Sequence, residues 1–293
     1  MANLRALDKR RKSIRNIRKI TRTMELIATA RFKKAMDRAA AATDYTDRIT
    51  AIVRDLSKSG ASVSHPLLEA REKPKSADLM ILTSNRGLCG GYNGSVIRIA
   101  LQRKAELAQQ MSKNGVQVSG KRGISALRFR GVAIEQTYTE FEDQPAFDKV
   151  AVIADQLMDR YIRGEIDRVD IAYTRFISIS KQIAVVETLL PLGKLDAGSQ
   201  AAATGPKEDY EFLPSASSIL EEVVPASFRV RLFKCFLDAA VSEQIARMVA
   251  MKSATENAGD IIKQLSRTYN RARQSRITQE IMEIIGGVEA LEG

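Results

Sequence analysis

Apolar residues return in steps of three and four along the C-terminal part of the chain: Leu237, Val241, Ile245 and Met248, then Ala258, Ile262, Leu265, Tyr269 and Ala272. That period marks one face of a helix, and its 3-4 rhythm is the coiled-coil form. From Ala226 to Ile285 there is no proline and one glycine, Gly259, before the pair Gly286-Gly287. At 1.5 Å per residue such a helix is roughly 90 Å long, too long to lie inside one globule. The pattern predicts a rod, and a rod needs a partner.

The other end of the chain offers one. Met1 to Ser59 has neither glycine nor proline, and Gly60 stands where a helix C-cap belongs. Ile14, Ile17, Ile20, Met24 and Ile27 step by three and four, followed by Phe32, Met36, Ile49, Val53 and Leu56. Two long amphipathic helices flanking a middle of different texture predict an antiparallel pair with a domain inserted between. Two separate helices of an ordinary bundle are the alternative.

In the middle, 77–83 reads as a buried strand that runs into a glycine-rich turn at 84–94 and a helix from Ser95 to about Met111. Val116 to Val118 reads as a short strand after a turn at Asn114-Gly115, and Arg122 to Arg130 as a short helix closed by Gly131. A helix over 146–163 ends at Gly164, and strands over 169–176 and 182–190 turn near Ser178-Ile179-Ser180. Strands alternating with helices predict a small α/β domain. The stretch from Gly193 to Pro214 is polar and rich in Gly, Ala and Ser, so it reads as a loop. Ser218 to Glu221 fits a capping box. Pro225 either kinks the returning helix or starts it.

Charge sharpens the picture. The net charge is +11, and up to Arg38 thirteen basic residues face only Asp8, Glu25 and Asp37. One helix thus carries nearly the whole excess, and such a stripe attracts nucleic acid, an anionic membrane or an acidic protein surface. A DNA-reading basic region is disfavoured, because the apolar period runs through the stretch and aromatics are few. No run of about 18 apolar residues spans a bilayer.

Little points to catalysis. The glycines at 87, 90, 91 and 94 follow a strand and precede a helix, as in a phosphate cradle. Their spacing fits neither nucleotide-binding fingerprint, and no Lys-Ser/Thr pair follows. A tight turn exposing Arg86 and Cys89 to a protein partner fits better. The cysteines, Cys89 and Cys235, stand in unlike contexts, which predicts free thiols. His65 is the only histidine, and no metal-ligand spacing occurs. No catalytic, cofactor-binding or metal residue is expected.

Four stretches then carry a resemblance: Ile14-Arg-Asn-Ile-Arg-Lys-Ile-Thr-Arg-Thr-Met-Glu-Leu-Ile-Ala28, Arg86-Gly-Leu-Cys-Gly-Gly-Tyr-Asn93, Ser242-Glu-Gln-Ile-Ala-Arg-Met-Val-Ala-Met-Lys252 and Tyr269-Asn-Arg-Ala-Arg-Gln-Ser-Arg-Ile-Thr-Gln-Glu280. In this order they resemble the gamma subunit of F-type ATP synthases over nearly the whole chain. Val288 departs from the family's closing signature, which has alanine there. The resemblance implies an antiparallel coiled-coil shaft from residues 1–59 and 215–293, an inserted Rossmann-like α/β foot over 75–192, and a variable loop over 193–214. It implies a non-catalytic rotor subunit that couples ion flow through a membrane ring of c subunits to ATP synthesis and hydrolysis on beta subunits. Alpha, beta and epsilon subunits and the c-ring are the implied partners, without nucleic acid. The implied location is peripheral, on the cytoplasmic side of the cell inner membrane, with the membrane reached only through the c-ring. Residue by residue, it assigns partner contacts to Met24, Arg86, Cys89, Glu243, Arg247, Arg273, Gln274, Thr278 and Glu280. A basic coiled-coil scaffold or nucleic-acid-binding protein remains the alternative.

Overall fold

A computed structural model describes residues 4–58, 65–141, 144–192 and 216–292. Its elements run α1 (Leu4–Lys58), β1 (Ser76–Leu82), α2 (Tyr92–Gln110), β2 (Lys113–Ser119), α3 (Lys121–Phe129), β3 (Gln136–Tyr138), α4 (Phe147–Ile162), β4 (Arg168–Ser178), β5 (Lys181–Leu190) and α5 (Ala216–Glu292). The chain divides into two compact units, Met1–Thr29 with Arg247–Gly293 and Ala30–Ala246. Both long helices contribute residues to each unit.

The larger unit is built on a five-stranded sheet in the order β3-β2-β1-β4-β5. β1 pairs in parallel with β2 and with β4, β2 pairs in parallel with β3, and β5 closes the edge antiparallel to β4. Every residue of β1 is buried, as a central strand covered on both faces requires. Alternation sorts its side chains. Ala77, Leu79 and Ile81 pack with Val96, Ala100 and Leu107 of α2 and Leu127 of α3. Met80 and Leu82 face Val150, Ile153 and Leu157 of α4 and Phe228, Leu232 and Phe236 of α5. The sheet is thus sandwiched, and α5 is one of its covering helices. In the same unit Ala35 and Ala39 of α1 pack on Leu237, Val241 and Ile245 of α5.

Several local expectations need correcting. Asn114-Gly115 is not a turn but part of β2. Gly115 is small because a Cβ there would lie 2.5 Å from Asp78 Oδ1 and 2.6 Å from Glu135 Oε2. β3 has only three residues, too few to show an alternation. Pro225 lies inside α5 rather than in its first turn, and Val224 and Phe228 around it are fully buried, which sustains the helix despite the missing N–H. α5 also begins before Ser218 and continues through Gly286-Gly287 to Glu292. Gly60, the loop over 193–214 and the side chain of Ser218 lie outside the described residues.

One glycine fixes the sheet's working end. Gly120 follows β2 at φ +101°, and a Cβ there would stand 2.1 Å from the Thr83 carbonyl oxygen. Thr83 and Ser119 are thereby held together, with Thr83 N and Oγ1 both donating to the Ser119 carbonyl at 2.8 Å. This junction positions the turn that leaves β1.

Candidate functional site

In the smaller unit the two helices form an antiparallel pair. Thr255 Oγ1 donates to Thr21 Oγ1 at 2.8 Å, and the Arg11 guanidinium lies 4.6 Å above the Tyr269 ring. Within this unit the shielded positions of α1 are Leu4, Leu7, Asp8, Arg11, Ile14, Thr21, Glu25 and Ala28, a row stepping by three and four with one exposed member, Arg18, between Ile14 and Thr21. On α5 the matching row is Met251, Thr255, Ala258, Ile262, Leu265, Tyr269 and Ala272, of which all but Met251 and Thr255 are the residues the periodicity predicts.

The α1 row corrects the sequence reading. Of the predicted stripe within this unit only Ile14 is shielded, whereas Ile17, Ile20, Met24 and Ile27 are 45%, 59%, 37% and 41% exposed; further along α1, Phe32 and Ile49 do pack inward. The reason is packing distance. Ala28, fully buried, and Thr21 let the helix axes approach while the larger side chains of α5 fill the space between. The bulky aliphatics are left on the outside beside Arg15, Arg18 and Lys19, all exposed. This apolar row edged by cations lies on the outside of the helix pair and is not its seam.

Further along α5, Arg273, Gln274, Thr278 and Glu280 are all exposed. Thr278 Oγ1 donates to the Gln274 carbonyl at 3.0 Å, and Glu280 accepts from Arg276 Nε at 2.8 Å. Arg247, by contrast, is only 8% exposed and is engaged within the chain, and Glu243 is half-buried and engaged too. The outward contact expected of Arg247 therefore meets an inward-facing side chain.

The turn at the end of β1 is packed with its own side chains. Ser84 N donates to Asn93 Oδ1 at 2.9 Å, Ser84 Oγ donates to the Arg86 carbonyl at 2.6 Å, and Asn93 Nδ2 donates to Cys89 Sγ at 3.2 Å. Tyr92 Oη reaches across to the Ala239 carbonyl of α5 at 3.1 Å. Cys89 is 2% exposed, so the expectation that the turn presents its thiol is corrected. What it presents is Arg86 and Leu88, the latter at φ +67° and 59% exposed. Gly87 leaves room for the Arg122 guanidinium, which a Cβ would approach to 2.9 Å. β4 runs parallel to β1, so the exposed Ile177 near the end of β4 and Ile179 just after it belong to this same end of the sheet. Neither isoleucine reads as a contact residue in the sequence, where Ile179 belongs to the turn at Ser178-Ile179-Ser180 and Ile177 falls between that turn and the strand.

Beneath α5 lies a second arrangement that sequence reasoning missed. Tyr173 Oη donates to Glu187 Oε1 at 2.5 Å, and Arg175 pairs with the same carboxylate. Arg231, Cys235 and Asp238 stand on one face of α5, and the field of Glu187 reaches all three. Burial pushes the Asp238 carboxyl up to about 7, with Glu187 adding to the shift and Lys234 and Arg175 opposing it. Burial likewise pushes the Cys235 thiol well up, which makes it inert. The signal available was the spacing 231, 235, 238 of polar residues on an otherwise apolar helix face.

Known proteins show the same plan. A family model described as ATP synthase matches residues 3–291. The ATP synthase gamma chain of Rhodopirellula baltica is 67% identical over 296 residues, covering all of both chains. The chain belongs to the ATP synthase gamma chain family. That of Leptospira biflexa is 38% identical, with 99% of this chain and all of the relative covered. Among solved structures, the rotor of the Euglena gracilis mitochondrial ATP synthase shares the fold at a TM-score of 0.64 and 19% identity, covering 94% of this chain and 98% of that one. A further rotational state of that enzyme gives a TM-score of 0.69 at 20% identity, covering 98% of this chain and 94% of that one.

Proposed function

We propose that this chain is the rotor shaft of an F-type ATP synthase, coupling ion flow through a membrane ring of c subunits to nucleotide turnover on beta subunits. The observation that carries this reading is the antiparallel pairing of the two chain ends, fixed by Thr21 with Thr255 and by Arg11 with Tyr269. The whole-length match to a relative named ATP synthase gamma chain supports it.

In this reading residues 1–59 and 215–293 supply the shaft, 75–192 the foot, and 193–214 the variable loop. The shaft stands within a hexamer of alpha and beta subunits, and the foot meets epsilon and the c-ring. Chemistry belongs to the surrounding subunits, and the chain acts mechanically. It sits peripherally on the cytoplasmic side of the inner membrane; no helix among the described residues is long and apolar enough to cross one.

Met24 contributes through the exposed row of α1, and Arg86 through the turn after β1. Cys89 serves that turn from inside, by holding Asn93. Glu243, Arg273, Gln274, Thr278 and Glu280 meet the subunits around the shaft, and Arg247 positions the helix pair. The exposed cations Arg15, Arg18 and Lys19 along α1 fit acidic protein loops, which would guide assembly and set orientation more than raw affinity.

The test is assembly. Expressed with alpha and beta subunits, the tagged chain is expected to co-purify with both and to restore ATP-driven ion pumping to membranes lacking their own shaft subunit. A chain that stays alone and instead shifts duplex DNA in a salt-steep manner would favour the nucleic-acid alternative.

A further inference from the structure

The cluster beneath α5 holds a cation that no carboxylate reaches. Ser227 and Arg231 lie one turn apart on α5, in the row that continues through Cys235 and Asp238 and faces β4 and β5. Ser227 is 1% exposed, and its Oγ finds no hydrogen-bond partner. Arg231 Nη1 is shielded from solvent and equally unpartnered, and among the described residues this guanidinium makes no ion pair. Buried polar groups in native proteins are nearly all bonded. Two orphaned donors at i and i+4, on one side of a helix, call for a shared acceptor from outside the chain.

That acceptor has to be negative. The carboxylates around this part of α5 are committed elsewhere: Glu187 accepts from Tyr173 Oη and pairs with Arg175, and Asp155 pairs with Arg229 at 2.6 Å. The field of Glu187 reaches Arg231, but from beyond ion-pair distance. Asp238 holds its proton up to about 7, so below that pH Arg175, Arg231 and Lys234 are set against Glu187 alone. Burial pulls the Arg231 guanidinium below its ordinary value, the mark of a cation short of compensation, yet arginine keeps its proton at neutral pH. Val224, Phe228, Val230 and Leu232 around it on α5 are buried, so the surroundings are apolar.

We propose that Ser227 and Arg231 bind a single small inorganic anion of the chloride class between α5 and the sheet. The ion accepts from Arg231 Nη1 and Ser227 Oγ and supplies the counter-charge that the guanidinium lacks. Two donors in apolar surroundings select a monovalent, weakly hydrated ion. Sulfate or phosphate would bring a second charge and further oxygens for which the two residues offer no donors, and stripping their water would cost more than the contact returns. Held there, the ion fastens α5 to the strands it covers. It is a component of the folded unit, whatever partners the chain has.

The full-length chain, purified in potassium gluconate, is titrated with potassium chloride at constant ionic strength. Chloride-35 resonance is expected to broaden with the natural chain, to lose that broadening in Arg231→Met and to lose most of it in Ser227→Ala. Lys121→Gln, at an exposed cation of the same unit, should keep it. Thermal melts followed by circular dichroism, which also confirm that each variant is folded, give a second reading. In gluconate Arg231→Met, freed of an uncompensated charge, should melt above the natural chain, and chloride should close the gap by raising the natural chain alone. No broadening with the natural chain would show that water meets both donors and overturn the proposal. Broadening that persists in both variants would place the ion elsewhere and overturn it too. So would a difference in melting temperature between Arg231→Met and the natural chain that is the same in both salts, since the guanidinium would then be satisfied within the fold.

Discussion

Thr21 and Thr255 meet hydroxyl to hydroxyl at 2.8 Å, so the facing row of α1 runs through small residues and not through its isoleucines. The consequence for stability can be measured. Ala28→Leu inserts bulk at a position with no exposure and should cost about 1–3 kcal/mol. Ile20→Ser, at a site 59% exposed, should change stability by no more than about 0.5 kcal/mol. Urea melts of both variants decide it, and the reverse order would restore the isoleucine seam.

Met24 is 37% exposed on the outer row. Met24→Lys places a new charge on the surface proposed to meet neighbouring subunits while sparing the helix pair. ATP-driven ion pumping is expected to fall several-fold while ATP hydrolysis stays near its original rate. Equal loss of both, or no loss, would show that this row carries no coupling contact.

Asp238 gives a pH signature. Its carboxyl, raised by burial to about 7, holds its proton where the unfolded chain has released it. The stabilisation is therefore complete below the unfolded value near 4 and is lost as pH rises towards 7, a change on the order of 4 kcal/mol. Asp238→Asn keeps the shape without the charge, so its melting temperature should decline less between pH 4 and pH 7.5. Parallel curves for the two proteins would exclude the effect.

Removing the chain beyond Ile284 should weaken assembly with alpha and beta subunits without abolishing it. The residues of α5 nearest that end, from Arg273 to Val288, are exposed throughout and so contribute little to the helix pair. Complete failure to assemble, read by co-purification, would place an essential contact at the tip.

The chain's two cysteines, Cys89 and Cys235, are both free and buried and are not bonded to each other. Dithiothreitol is expected to leave the activity of the assembled enzyme unchanged. A shift in activity on reduction would contradict the burial of Cys89 and Cys235.

Much of the fold was legible because periodicity is a property of whole elements. The α5 row, the strands β4 and β5 and the ends of α3 and α4 follow from spacing and from Gly131 and Gly164. The α1 seam was not, because a 3-4 rhythm can be drawn through adjacent rows of one helix. Choosing between Ile20 and Thr21 requires knowing how large the opposing residues are. Gly115 was misread because a glycine that admits two carboxylates looks the same in sequence as one that turns the chain. Arg86 was placed correctly at an exposed turn, but Cys89 beside it turned inward to Asn93, a choice made by hydrogen bonds rather than by composition.

The strand order changes direction between β1 and β4, where open sheets of this kind leave a crevice that receives a ligand. Here Ser84, Asn93, Cys89 and Tyr92 bond to one another and to α5 across that place. An architecture that elsewhere opens to admit a small molecule has become a solid block, and a solid block is what a drive train asks of its hub.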